Sequence, residues 1–231
     1  MLSFVVPAYN EEKYLPATLA AIHSAARECA EPYEVVVAND KSADATAAIA
    51  AQGGAKVIDV EKRQIAGTRN AGARAASGDM LIFVDADTLV NAAVVSEALA
   101  AMRAGAVGGG APVRFDRPHF WVTALMFVVL PLFRWAKWAA GCFVFCTREA
   151  FERTGGFDEQ YFASEEIHFS QALKRQGRFV VVRSFVVSSA RKLDSHGFWK
   201  SLWLFVRIAL RGPGGLRRHN ALTSFWYPDK R

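Results

Sequence analysis

Met80-Leu81-Ile82-Phe83-Val84-Asp85-Ala86-Asp87 decides how this chain is read, because five apolar, β-rich residues run straight into two carboxylates one residue apart. An apolar run without alternation suits a strand buried on both faces, as in a parallel sheet covered by helices. The acidic pair then stands at the carboxyl end of that strand, where open α/β sheets bind their ligands. Asp85 and Asp87 offer hard oxygen atoms, which suit Mg²⁺ or Mn²⁺, and such an ion can bridge to the oxygens of a diphosphate. An acidic pair alone usually caps a turn; the strand in front of it gives this one its weight.

Upstream, short apolar runs at 2–6, 34–38 and 57–60 alternate with helical patterns at 14–29 and 44–52. That rhythm is the βαβ signature of a largely parallel sheet. Downstream, 88–104 reads as a helix broken by the glycines of 105–110, and 140–146 reads as a strand. A short helix over 148–154 is stopped by Gly155-Gly156, a helix over 165–176 is ended by Gly177, and 179–189 returns to strand character. The expected fold is α/β, with a mixed, mostly parallel, Rossmann-like sheet flanked by helices and a C-terminal amphipathic helical extension.

The 231 residues, 52% of them hydrophobic, are enough for one large core. The net charge of +6 is unevenly placed: residues 171–231 hold 13 of the 28 Lys and Arg but only Asp194 and Asp229 among the 22 acidic residues. A basic end of this kind suggests an anionic surface such as phospholipid, a lipid diphosphate or nucleic acid, with a merely solvated face as the alternative. The apolar segment 120–133 contains Pro131 and falls short of the roughly 20 residues needed to cross a bilayer, so it reads as a buried or interfacial helix. Over 198–211, Lys200, Arg207 and Arg211 form a narrow stripe on an otherwise apolar helix pattern. It could lie in a membrane interface or pack on the domain, and the sequence leaves both open.

Cys29, Cys142 and Cys146 make a poor disulfide framework and read as buried thiols. Met1 leads directly into the first apolar run without a secretory leader pattern, so a cytoplasmic protein is expected, at most peripheral at the inner face of the membrane. There is no phosphate-loop motif and no His-Glu-x-x-His helix, and Gly108-Gly109-Gly110 does not follow the first strand as a dinucleotide fingerprint would. Trp199, Trp203 and Phe205 read as apolar helix surface, so no nucleic-acid partner is expected.

Six blocks then occur in a fixed order: Val5-Val6-Pro7-Ala8-Tyr9-Asn10-Glu11-Glu12, Asn39-Asp40-Lys41-Ser42-Ala43-Asp44-Ala45-Thr46, Arg69-Asn70-Ala71-Gly72, Asp85-Ala86-Asp87, Gly155-Gly156-Phe157-Asp158-Glu159 and Glu165-Glu166. Together they resemble family 2 glycosyltransferases of the GT-A fold over about residues 2–190. The resemblance implies a catalytic domain over 1–190, with nucleotide-sugar binding over about 1–110 and the acceptor side over about 111–190, followed by a basic, aromatic extension over 191–231. It implies an inverting, metal-dependent transfer from a nucleoside-diphosphate sugar to an acceptor hydroxyl, with a lipid-linked or membrane-proximal acceptor suggested by the basic end.

The same resemblance implies roles for individual residues. Pro7, Ala8, Tyr9 and Glu11 would lie against the nucleotide, and Asp40 would read the nucleobase edge. Arg69 and Asn70, in a polar turn before an Ala-rich helix through Ala76, would contact the donor together with Asp85 and Ala86. Asp85 and Asp87 would hold Mg²⁺ or Mn²⁺. The general base would be Glu166 by register, or Glu165, where relatives usually carry Glu-Asp. His196 could reach the metal or diphosphate from the C-terminal side, and Arg191 and Lys192 the diphosphate or an acceptor phosphate, with a solvated basic turn as the alternative, while His168 reads as structural. Asn39, Lys41 and Glu166 depart from the usual family residues, which gives some weight to another class: a catalytically silent nucleotide-sugar-fold module that recruits a partner or membrane.

Overall fold

The computed structural model describes residues 1–117, 141–161 and 165–191. Its strands are β1 (Leu2–Ala8), β2 (Tyr33–Asn39), β3 (Lys56–Asp59), β4 (Met80–Val84), β5 (Thr88–Leu89), β6 (Gly108–Gly110), β7 (Val113–Phe115), β8 (Phe143–Thr147), β9 (Phe179–Val181) and β10 (Val186–Ser188). Its helices are α1 (Leu15–Glu28), α2 (Thr46–Gln52), α3 (Ile65–Ala75), α4 (Ala92–Arg103), α5 (Arg148–Thr154) and α6 (Glu165–Lys174). A seven-stranded sheet runs β3-β2-β1-β4-β8-β6-β9, and a three-stranded sheet runs β5-β10-β7. Among the described strands of the large sheet β8 alone is antiparallel to its neighbours, pairing with β4 on one side and β6 on the other.

Strand periodicity explains why β1, β2 and β4 carry no polar alternation. Leu2, Phe4, Val6, Val35, Val37, Ile82 and Val84 point into one apolar layer, which α1 and α4 close with Leu19, Ile22, Val95 and Leu99. Val5, Val36, Leu81 and Phe83 point into the other, closed by Ala66 and Ala73 of α3, Phe151 of α5 and Phe169 of α6. Every residue of β1 is buried. The helix ends follow local chemistry: Pro16 opens α1, the Asn91 side chain accepts from the Val94 amide at the start of α4, and Thr147 does the same for Ala150 in α5.

Three expectations of the sequence are revised. Thr88 and Leu89 do not begin a helix; they form β5 against Val187 and Ser188, and the helix starts after the Asn91 cap. The glycine run is more than a breaker, since Gly108–Gly110 is a strand between β8 and β9. A Cβ on Gly109 would lie 2.0 Å from the Val180 carbonyl oxygen and 2.3 Å from the Phe145 ring, so glycine is what lets that ring and β9 approach. Third, the strand expected over 179–189 is two strands, β9 and β10, in different sheets. The two segments read as apolar or amphipathic helices, 120–133 and 198–211, lie outside the described residues.

Because β1, β2 and β4 are parallel, their carboxyl ends meet on one edge of the sheet, with Ala8 beside Asn39 and Val5 beside Phe83. Tyr9, Glu11, Asp40 and the Asp85-Ala86-Asp87 turn follow directly from those ends.

Candidate active site

The turn after β4 separates its three residues by burial. The Asp85 amide donates to the Cys142 carbonyl at 3.2 Å, and the Asp85 carbonyl accepts from the Thr88 amide at 3.0 Å. Ala86 is buried, and its carbonyl takes the Thr18 hydroxyl at 2.8 Å. The two carboxylates meet different arginines. Asp85 Oδ1 lies 2.8 Å from Arg69 Nη2, and Asp87 Oδ2 lies 3.1 Å from Arg191 Nη2. Arg191 also grips Glu11 with both amino groups, Nη1 donating to Oε2 at 2.8 Å and Nη2 to Oε1, and its guanidinium sits 4.7 Å from the centre of the Tyr14 ring.

Arg69 is not in a turn before a helix; it lies within α3, 1% exposed. The small residues around it, Ala66, Gly67, Gly72 and Ala73, are what hid the helix from a sequence reading, and they let α3 pack closely on the sheet. Its Nη1 donates to Glu165 Oε1 at 2.5 Å and its Nη2 to the Gly141 carbonyl at 2.8 Å, while the guanidinium stands 5.2 Å from the centre of the Phe157 ring. Its Nε is buried without a hydrogen-bond partner among the described residues. Burial by itself would lower the arginine pKa, but Asp85, Glu165 and Glu166 together outweigh it and hold the charge firmly in place.

Glu165 and Glu166 open α6, where the helix dipole favours carboxylates. Glu165 is 4% exposed and takes the Arg69 guanidinium. Glu166 is half-buried, and burial reinforced by the charge of Glu165 pushes its carboxyl up to about 8, against the pull of Arg69. Burial likewise raises Glu165. Beside them, burial and the charges of Asp85 and Asp87 push the Cys142 thiol up, so it is no thiolate nucleophile at neutral pH.

The remaining expected residues fall into two groups. Pro7 and Ala8 are buried at the end of β1, and Tyr9 is half-buried just beyond it. Asp40 is 3% exposed, and its Oδ1 accepts the amides of Lys62 and Arg63 at 2.8 and 3.0 Å while Oδ2 takes the Thr68 hydroxyl at 3.2 Å. The atypical neighbours continue this stitching of the loops after β2 and β3: Asn39 bonds Asp59 at 2.7 Å and Lys41 pairs with Glu61 at 2.5 Å. Asn70, 2% exposed, faces the Gly155–Glu159 turn, with its Nδ2 donating to the Phe157 carbonyl and its Oδ1 accepting the Phe157 amide, both at 2.8 Å. Lys192 and His196 lie outside the described residues. Sequence reasoning passed over Gly141, which meets both Arg69 and Glu166, and Gln64, which fastens α3 to the carbonyls of Glu159 and Tyr161; neither carries a local signal.

A carboxyl-edge site of this kind on a mixed sheet with one antiparallel insertion defines the class: a GT-A glycosyltransferase fold. The chain belongs to glycosyl transferase family 2, whose model matches residues 3–170. It is 38% identical over 93 residues to an undecaprenyl-phosphate 4-deoxy-4-formamido-L-arabinose transferase of Serratia proteamaculans, covering 37% of this chain and 28% of that protein. It is 36% identical over 106 residues to an uncharacterized glycosyltransferase of Mycobacterium tuberculosis, covering 46% of this chain and 45% of the relative. The matches thus span less than half the length of these relatives.

Two solved structures share the fold. A mannosyltransferase of Pyrobaculum calidifontis in complex with GDP-Man and Mn²⁺ superposes with a TM-score of 0.70 at 22% identity, over 89% of this chain and 60% of that one. Glucosyl-3-phosphoglycerate synthase of Mycobacterium tuberculosis, in complex with Mn²⁺, UDP and glucosyl-3-phosphoglycerate, superposes with a TM-score of 0.63 at 19% identity, over 93% of this chain and 80% of that one. Among the described residues, no helix is long and apolar enough to cross a membrane.

Proposed function

We propose that the chain transfers a sugar, with inversion, from a nucleoside-diphosphate sugar to an acceptor hydroxyl, using Mg²⁺ or Mn²⁺. The observation that carries this reading is the division of labour around Arg69: one buried guanidinium holds Asp85 and Glu165, while Glu166 stands beside them as a carboxyl with a strongly raised pKa. A carboxyl whose burial and like-charged neighbour raise it toward the working pH is suited to take a proton, and its place beside a carboxylate held by arginine marks a candidate acid–base site. Glu165 is occupied as a counter-ion, so Glu166 is the base.

The residues fit a hard cation. Among the described residues no group of three or more His, Cys, Asp and Glu side chains could hold a metal ion; Asp85 and Asp87 offer two carboxylates one residue apart. That is the donor set of Mg²⁺ or Mn²⁺ completed by substrate phosphate and water, and it does not suit a closed protein cage. When bound, the ion would neutralise charge on the departing diphosphate. Glu166 takes the acceptor proton as the acceptor oxygen bonds to the anomeric carbon. The bond to the diphosphate breaks, and the nucleoside diphosphate leaves with that electron pair. Asp40 holds the Lys62-Arg63 backbone at the nucleotide end, and Arg69 keeps Asp85 and the start of α6 in register.

A lipid-linked or membrane-proximal acceptor is supported by the basic stretch 171–231 and by the undecaprenyl-phosphate transferases among the relatives. The protein would then work at the periphery of a membrane. The test is release of nucleoside diphosphate from a panel of nucleotide sugars with and without Mn²⁺. Metal-dependent release that disappears in Asp87→Ala supports the enzyme, whereas nucleotide binding without turnover, indifferent to metal, would support the silent binding module instead.

A further inference from the structure

We propose that Arg191 is a built-in competitor for the metal corner: its guanidinium and a divalent cation contend for the carboxylate of Asp87, so Arg191 sets the metal concentration at which the corner fills. The inference rests on the reading of Asp85 and Asp87 as metal ligands.

Arg191 is placed for this by three separate fastenings. Nη2 lies 3.1 Å from Asp87 Oδ2 and also donates to Glu11 Oε1, so a single amino group is shared between the metal corner and the turn after β1. Nη1 completes a fork on Glu11 at 2.8 Å, a geometry that holds the guanidinium in one orientation. The backbone is tied down as well: the Ser189 amide donates to the Asp87 carbonyl at 3.3 Å, and the Ala190 amide to Asp116 Oδ1 at 2.9 Å. The segment leaving β10 is thereby laced onto the acidic turn that would carry the ion.

Electrostatics makes the contention unavoidable. Asp87 is only 9% exposed and Arg191 29%, so their interaction is poorly screened, as would be the repulsion between the guanidinium and a doubly charged ion on the same carboxylate. Arg69 faces the same corner through Asp85, but it is fully buried and also bonds Glu165 and the Gly141 carbonyl, so its charge is a fixed part of the frame and Arg191 is the cation with freedom to yield. The existing fork on Glu11 would still hold Arg191 if its weaker contact with Asp87 were given up, which is what a displaceable competitor requires.

The experiment is titration of the whole chain with Mn²⁺ alone, following the free ion by electron paramagnetic resonance, for the wild type, Arg191→Ala, Arg191→Lys and Arg191→Ala/Asp87→Ala. The expected result is Mn²⁺ binding at least fivefold tighter in Arg191→Ala than in the wild type. Arg191→Lys should stay near the wild type, because it keeps the charge while losing the packing on Tyr14, and the double variant should lose the gain. Equal or weaker binding in Arg191→Ala overturns the competition while leaving the metal corner standing. Tighter binding that survives in the double variant places the ion away from Asp87 and sinks both readings.

Discussion

Asp85 and Glu165 share the guanidinium of Arg69, which lies 2.8 Å from the first and 2.5 Å from the second. One residue ties the end of β4 to the start of α6, the two places that carry the candidate metal ligand and the candidate base. Arg69→Ala would leave Asp85 and the buried Glu165 without their shared counter-ion, so it should cost about 3–5 kcal/mol of stability in urea unfolding. Glu165→Gln added to Arg69→Ala should recover part of that loss. By contrast, Lys41→Ala breaks an ion pair whose side chains are 60% and 49% exposed and should leave the urea midpoint essentially unchanged.

Glu166 makes a prediction about pH with a definite sign. Its carboxyl sits at about 8 in the folded protein and near 4.5 in the unfolded chain. Between those values the folded state keeps a proton that the unfolded chain has lost, so this group makes stability fall as pH rises from about 4.5 to about 8. Glu166→Gln removes that contribution: its Tm should match the wild type near pH 4 and exceed it by several degrees at pH 8. A base must be ionised, so kcat/KM for the wild type should rise with pH through an inflection near 8. Glu166→Gln should lose roughly 10²–10⁴-fold in kcat while keeping its fold, a combination that a purely structural glutamate would not show.

The sheet was legible because β1, β2 and β4 are buried on both faces and so write themselves as plain apolar runs. The acidic turn was legible for the same reason, standing at the end of such a run. What escaped reading is tertiary. Thr88 and Leu89 are helix-compatible residues that join β5 because Val187 and Ser188 lie opposite them. Arg69 sits inside α3 because carboxylates from β4 and α6 neutralise it, and neither is near it in sequence. A polar pair such as Arg69-Asn70 therefore reads as a turn until its partners are known. Asp40 and Asn70 are further cases, since polar residues that resemble ligand contacts are engaged with the protein's own backbone.

For Asn70 that engagement can be separated from donor contact. Its amide makes a two-way pair with the Phe157 backbone and adds a bond to Glu159 at 3.1 Å. Asn70→Ala leaves the buried Phe157 amide and carbonyl unsatisfied and should destabilise by about 2–4 kcal/mol. Below its own melting range the variant should keep the donor KM within about twofold, because loss of uniform binding would appear as a rise in KM with kcat unchanged. A tenfold rise in KM with unaltered stability would instead make Asn70 a donor ligand.

Gly141 allows the frame to be left intact while the base is moved. Its carbonyl accepts from Arg69, and a Cβ added there would lie 3.1 Å from Glu166 Cδ, the far end of a side chain that can yield. Gly141→Ala should therefore lower Tm by no more than a few degrees, since no backbone atom is struck and the Arg69 contact survives. The carboxyl must yield only slightly, so kcat should fall measurably but by less than the roughly 10²-fold that misplacement on the order of 1 Å can cost. Gly109→Ala is the matched opposite, because its methyl would strike the Val180 carbonyl oxygen at 2.0 Å between two paired strands. It should unfold the sheet locally and lower Tm steeply. If Gly141→Ala retained full kcat with Glu166 displaced, the proton would have to leave by another group, and Glu166 would be a structural acid at the head of α6.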